Sequence, residues 1–397
     1  MPYFFYGRLG YDEFFYKKRI FLMLYQFEVS GFKSFNEKFS FRLDGAKEYS
    51  FNREAVRNDV IKTGIVYGVN GIGKSNLGLA LFDIIFHITQ GFESNSAYIS
   101  NYLNLETKND YAEFSYLFRF DEHYLKYTYR KRSLKEILFE EIQIDGEIVA
   151  SINKVESGIM FCSLSGADTL KTDLSETNIK SIVSYINTNA ALDNKDSKNK
   201  TFHKFIEFVE KMLFFRSIEG NRYMGYEPEP RAISIDIIEN GNLEDFEAFL
   251  NKAGISCKLC SIDKEDGKPT IAFDFGEKKL AFWTGASTGT KSLALYYYWM
   301  QRLRVDEDSA SLVFIDEFDS FYHHELSAAV VEELKKIKSQ VILTTHNVSV
   351  MSNDILRPDC YFVMSKTEVS PLYLKTSKEL REAHNLGKMY KAGSFND

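Results

Sequence analysis

From Leu24 to Leu43 the chain reads LYQFEVSGFKSFNEKFSFRL. Apolar and polar positions alternate closely enough to predict two or three strands around a turn at Ser30–Gly31. A short apolar run, TGIVYG, follows and predicts a buried strand feeding a glycine-rich turn, after which SNLGLALFDIIFHIT has the spacing of an amphipathic helix. Alternation returns from Tyr111 to Ala150, with turn signals at Asp121–Glu122 and Asp145–Gly146, and predicts an antiparallel meander. The character changes over 171–255: NTNAALDNKDSKNK is loop-like, TFHKFIEFVEKMLFF helical, GNRYMGYEPEPR a loop and NLEDFEAFLNKAG a capped helix. Strand character resumes at PTIAFDF and KLAFWTG. Near the end, strands SLVFI and QVILTTHN flank a helix with Leu326, Val330, Leu334 and Ile337 on one face.

This order predicts an α/β protein in four parts: an extension over 1–22, the first part of a head over 23–170, a mostly helical insertion over 171–255, and the second part of the head over 256–397. No internal repeat is visible.

Composition narrows the class without naming a function. The 397 residues are 44% hydrophobic and 26% charged, as in an ordinary globular protein with a substantial core. A net charge of −7 gives no global footprint for nucleic acid or an anionic membrane. Four cysteines make no disulfide framework and suit a reducing compartment. No apolar run approaches a membrane span, and the aromatic N-terminal stretch, broken by Arg8, Asp12 and Glu13, is no secretory leader. A cytoplasmic location is expected.

The strongest chemical signal is GVNGIGKS, Gly68 to Ser75, which fits G-x-x-x-x-G-K-[ST]. Glycines let the backbone curl so that successive N–H groups point at phosphate oxygens, and the following helix adds its positive end. Gly68, Asn70, Gly71, Gly73, Lys74, Ser75 and Asn76 are the candidate nucleotide-binding set, with Lys74 reaching the β- and γ-phosphates and Ser75 ligating Mg²⁺. The bland alternative is a glycine turn between strand and helix.

SLVFI ends in Asp316–Glu317, acids at the tip of a buried strand, where α/β sheets bind ligands. Asp316 is expected in the Mg²⁺ shell and Glu317 as the general base that polarises the attacking water. His346, just past QVILTT, stands where a switch histidine would contact the γ-phosphate; His324 is open between a helix-start contact and an interface role. Ser287 and Gly289, in STGTK before an apolar helix, form a second anion site at a helix start or a plain helix cap. Three weaker signals remain, the first being EPEP with Arg222 and Arg231, which reads as a partner-contact loop or as a loop only. Cys257 and Cys260 have zinc-ligand spacing without a second pair, and YLKYTYRKRSLK reads as a charged, exposed strand edge or a nucleic-acid face.

Four stretches, FEVSGFKSF, GVNGIGKSNL, STGTKSL and FIDEFDSFYHHEL…ILTTHN, carry a resemblance to the ABC-class ATPases of the RecF and overcoming-lysogenisation-defect group. The likeness extends to stand-alone abortive-infection ATPases. It implies an ABC-type P-loop ATPase head with an antiparallel β subdomain, ATP and Mg²⁺ as cofactors, and ATP-bridged self-association in which Ser287 and Gly289 cap the neighbour's nucleotide. The usual signature LSGGQ is here ASTGT, and no Q-loop glutamine can be placed. Too little chain follows His346 for a Toprim nuclease domain, so the resemblance implies a separate effector protein such as a Toprim-type nuclease, as in PARIS-type phage defence. A RecF-like repair ATPase that binds DNA directly is the alternative.

Overall fold

The computed structural model describes residues 22–89, 100–177, 179–216, 222–226, 232–264, 266–305, 309–320 and 324–395. The 1–22 extension lies outside these residues except for Leu22, as do Arg231 and the EPEP loop; the side chains of Arg222 and His324 are likewise outside.

One mixed sheet organises the described residues. In chain order its strands are β1 (Leu22–Ser30), β2 (Phe39–Arg42), β3 (Thr63–Tyr67), β4 (Ala112–Phe120), β5 (His123–Ser133), β6 (Glu136–Ile144) and β7 (Glu147–Asn153). They continue with β8 (Met160–Cys162), β9 (Met212–Arg216), β10 (Arg222–Gly225), β11 (Leu312–Asp316), β12 (Gln340–Thr345), β13 (Tyr361–Met364) and β14 (Glu368–Pro371). Their spatial order is β8-β7-β6-β5-β4-β1-β2-β14-β13-β3-β12-β11-β9-β10. The five neighbours β13, β3, β12, β11 and β9 are mutually parallel, whereas β1 and β4 to β8 form the expected antiparallel meander. The sheet is therefore α/β on one side and antiparallel on the other.

The parallel strands β3, β9, β11 and β12 are buried along their whole length, so they read as apolar runs rather than alternations. This explains the main departure from the sequence reading. Continuous with TFHKFIEFVE, KMLFF reads as the end of a helix, but the helix stops at Glu210 and Met212–Arg216 is a strand paired with β11. A short apolar run fits either state, and tertiary pairing decides. The 171–255 segment thus contributes helices and also two strands of the main sheet. KLAFWTG departs too: Lys279–Ala281 is a strand of a separate three-stranded sheet, and Phe282–Gly285 is one helical turn.

Helices cover both faces. Helix α1 (Lys74–Phe82) lies on β9 and β11 so closely that a Cβ at Gly78 would come within 2.6 Å of the Phe214 ring and 2.8 Å of Phe314. Helices α2 (Ile182–Asn189) and α3 (Ser197–Glu210) lie on the meander, where Phe205 and Phe208 pack on Phe118. On the opposite face, α4 (Leu243–Lys252) packs on α5 (Thr288–Val305), and Trp299 of α5 packs edge-on against Phe215. Helix α6 (His324–Leu334) buries Leu326, Val330 and Leu334, and Ile337 just beyond it, as the spacing predicts.

Candidate functional site

The C-terminal ends of β3, β12 and β11 lie side by side, the edge of a parallel sheet at which ligands bind. Chain leaving β3 turns through Gly68–Gly73 into α1. Gly73 has φ 115°, a conformation side chains avoid, and a Cβ there would lie 2.8 Å from the Ser34 hydroxyl. Lys74, 5% exposed, donates from Nζ to the Gly68 carbonyl at 2.9 Å and stands 3.3 Å from Glu317 Oε1. The lysine is folded over its own loop, its charge already aimed into the cradle.

Asp316 closes β11 opposite this loop. Thr344 donates to its Oδ1 at 2.7 Å, and the Ser75 hydroxyl also bonds it. Burial pushes the Asp316 carboxyl above its ordinary value, the Ser75 and Thr344 hydroxyls pull it down, nearby Glu317 pushes it up and Arg216 pulls it down. A buried carboxylate beside a hydroxyl is an oxygen donor set that a small hard cation would stabilise, so Ser75 and Asp316 fit Mg²⁺.

Glu317 adopts φ 48°, the left-handed region uncommon for a non-glycine residue. Such a conformation costs about 1–3 kcal/mol and persists where the surroundings fix it. Here its amide donates to Thr344 Oγ1 at 2.8 Å, and its carboxylate is held between Lys74 and His346, whose Nδ1 is 2.9 Å from Oε2. The His346 side chain is 58% exposed, leaving its far edge open to a ligand.

The structure therefore brings Lys74, Ser75, Asp316, Glu317 and His346 together. Asn70 lies on the exposed loop tip, and Asn76 points away from the acids to donate to Ser34 Oγ at 3.0 Å. Ser287 and Gly289 stand apart, at the start of α5. The Ser287 hydroxyl accepts from the Thr290 amide at 3.2 Å and bonds the Thr290 hydroxyl at 2.9 Å, so in this chain it caps its own helix. Among the described residues its hydrogen bonds stay within that cap.

Several neighbours went unseen in the sequence. Asp319 is buried, accepts from Thr345 Oγ1 at 2.6 Å, and is pushed above the usual carboxylate range by burial. Ser34 and Lys33 sit beside the P-loop in an open cleft with Asn76, Ser100 and Asn101. The FKS stretch was visible as a marker, but no spacing rule places a β1–β2 turn beside a loop forty residues on.

The basic–tyrosine stretch is corrected. Strand β5 lies inside the sheet between β4 and β6, and is no edge. Tyr127, Tyr129 and Lys131 are buried, Arg130 pairs with Glu113, and Arg132 pairs with Asp110 and Glu136. The four cysteines are free, and among the described residues no group of three or more His, Cys, Asp or Glu side chains could hold a metal. No helix of the described residues is long and apolar enough to cross a membrane.

A glycine loop at the end of a parallel strand, opened onto a lysine–serine helix start and faced by an acid pair, defines a P-loop ATPase-like α/β domain. Residues 65–352 match the family described as "AAA domain, putative AbiEii toxin, Type IV TA system", and the chain belongs to that family. No curated protein matches it. Among solved structures it is similar to the SmcHead bound to the C-winged helix domain of ScpA, at 15% identity over 87% of this chain and 96% of that one, with a TM-score of 0.43. The SMC head domain from Thermotoga maritima matches at 14% identity, 88% and 98% coverage and a TM-score of 0.41. The recombination mediator protein RecF with ATPγS matches at 14% identity, 88% and 98% coverage and a TM-score of 0.39.

Proposed function

We propose that the chain is an ABC-class ATPase head that binds and hydrolyses ATP with Mg²⁺, and that this cycle makes it a scaffold and switch in anti-phage defence. The observation that carries the reading is the convergence of Lys74, Ser75, Asp316, Glu317 and His346 on one sheet edge.

In this reading Lys74 leaves the Gly68 carbonyl to meet the β- and γ-phosphates, as the loop amides of Gly71 and Gly73 cradle them. Ser75 and Asp316 hold Mg²⁺, which when bound neutralises charge on the phosphate oxygens. Once Lys74 moves, Glu317 Oε1 is free to take the proton of a water aligned with the γ-phosphate, while His346 holds Oε2 and turns its open edge to the phosphate. The strained backbone of Glu317 supports the role, since such strain collects where a side chain must be aimed. Ser287 and Gly289 act on the nucleotide of a second copy, so ATP joins two heads, and ATP-dependent joining holds or releases a separate effector such as a nuclease.

Glu317→Gln tests the chemistry. It is expected to keep ATP binding, to slow hydrolysis by at least about a hundredfold, the scale of general-base catalysis, and to accumulate the joined form in sedimentation. An unchanged rate removes Glu317 as base. Hydrolysis measured with and without duplex DNA at two salt concentrations separates the alternative. Indifference to DNA fits the scaffold, whereas stimulation that fades with salt reports phosphate contacts and favours a RecF-like DNA-acting ATPase. The pairing of Arg130 and Arg132 with carboxylates speaks for the first outcome.

A further inference from the structure

Strand β12 ends in Thr344–Thr345, and neighbouring side chains on a strand face opposite ways. Thr344 turns to Asp316, so Thr345 turns to the other face, where its hydroxyl donates to Asp319 Oδ1 at 2.6 Å. The same hydroxyl accepts from the Asn347 amide at 2.9 Å, and the Asn347 side chain in turn accepts from the Ser349 amide at 3.0 Å. His346 therefore sits between two residues that are tied to one another at Thr345 Oγ1 and, through it, to Asp319.

Asp319 is 6% exposed. Burial pushes its carboxyl up, and the groups that offset this are the Thr345 and Asn347 side chains, its own amide and the nearby His346. Apart from that amide, all belong to the turn 345–347. Burying a carboxylate is costly where a neutral side chain could close the same turn, so the charge answers a demand beyond packing. The His346 ring supplies one. Its side chain is 58% exposed, so packing does little to aim it, and Glu317 Oε2 holds the ring at 2.9 Å from Nδ1. That hold is conditional. A Glu317 carboxylate that takes up a proton from water gives up the charge by which it grips the imidazole. The Asp319–Thr345 contact takes no part in that transfer and is unchanged by it.

We propose that Asp319 is the positioning residue of His346: through Thr345 and Asn347 it fixes the turn that carries the histidine, and so keeps the ring's open edge on the terminal phosphate while Glu317 takes its proton. The inference rests on the nucleotide reading given above and deepens it. It divides the work of two acids two residues apart. Glu317 meets the ring and the water, and Asp319 steadies the turn that aims the ring.

The test uses the full-length protein and a double-mutant cycle on the rate of ATP hydrolysis with Mg²⁺. Asp319→Ala is expected to lower kcat by about ten- to a hundredfold, the scale of a misaimed catalytic group, and to leave the affinity for a fluorescent non-hydrolysable ATP analogue within about twofold. Combined with His346→Gln it is expected to add less than about twofold, because a residue that acts through His346 then has nothing left to aim. Thr345→Val, which removes the connecting hydroxyl, is expected to behave like Asp319→Ala, and Thr345→Ser to restore most of the rate that the Val variant loses. That pair carries the test if Asp319→Ala does not fold. Ring NMR of the seven histidines in the nucleotide-free protein gives a readout apart from turnover. The His346 signal, assigned by its loss in His346→Gln, is expected to shift in Asp319→Ala. Losses that multiply in the double variant, weaker analogue binding without a lower kcat, or an unmoved His346 signal each assign Asp319 to support of the strand end alone and overturn the inference. If the unaltered protein hydrolyses no ATP, or His346→Gln hydrolyses it at the full rate, the reading of the site falls and takes this inference with it. If His346→Gln is slow and Asp319→Ala is not, only the inference falls.

Discussion

Helix α1 carries a lysine–carboxylate pair at each end, and the two pairs differ in almost everything else. At its start Lys74 stands 3.3 Å from Glu317 and shares its protons with a loop carbonyl. Just past its end Lys131 meets Asp83 at 2.6 Å with both side chains fully buried. Tyr129 and Tyr102 donate to the Asp83 oxygens, and Tyr116 donates to the carbonyls of Ala80 and Leu81. The polar region extends through His87 and Tyr127 to Glu140, which also accepts from Ser181 and the Ile182 amide. The far end is closed and holds its own partners. The near end holds its acid through the longer Lys74 contact and through His346, whose side chain is 58% exposed. Buried charge alone therefore does not mark a site.

The largest expected effect separates the two lysines. Lys131→Met strands Asp83 and should destabilise the fold by about 3–5 kcal/mol, read by urea unfolding. Lys74→Met should destabilise the fold less than Lys131→Met does, because Glu317 keeps His346 as a partner, yet abolish nucleotide binding. Equal destabilisation by both would break the contrast.

The closed end should also respond to pH. Burial holds the His87 imidazole well below its ordinary value, with nearby Lys131 acting the same way. Below about pH 6.5 the unfolded chain then takes up a proton that the folded chain refuses, so stability is present above that pH and falls as pH drops. The slope from this group approaches about 1.4 kcal/mol per pH unit. Melting temperatures between pH 7.5 and 5.5 should fall, and His87→Gln should flatten the decline. An unaltered slope in that variant removes His87 as the source.

The smallest effect belongs to Ser287→Ala. Loss of its cap should cost about 1 kcal/mol and leave nucleotide affinity of a single head unchanged, while ATP-dependent joining of heads is lost. Weaker affinity in a single head would place Ser287 in its own chain's site instead.

What the sequence disclosed follows from how local each signal is. The P-loop, the Asp316–Glu317 tip and His346 each need one strand end and the residues beside it, so spacing alone reveals them. Arg216 needs the knowledge that Met212–Arg216 lies beside β11, far along the chain, and four apolar residues before an arginine do not carry that. The tyrosines of β5 fail for a related reason. Alternation predicted the strand, but its neighbours on both sides decide whether Lys131 meets water or Asp83. Ser34 and Asp83 became legible only through contacts across the fold.

The adjacent threonines ending β12 act as a caliper. Facing opposite sides of the sheet, Thr344 holds Asp316 and the Glu317 amide, while Thr345 holds Asp319. The span between those two acids is thus measured against a fixed dipeptide. In a lineage of such proteins the stretch from Asp316 to Asp319 should keep its length through any drift in letters. A change of either threonine to serine should be a tolerated spelling, and a single inserted residue an unreadable one.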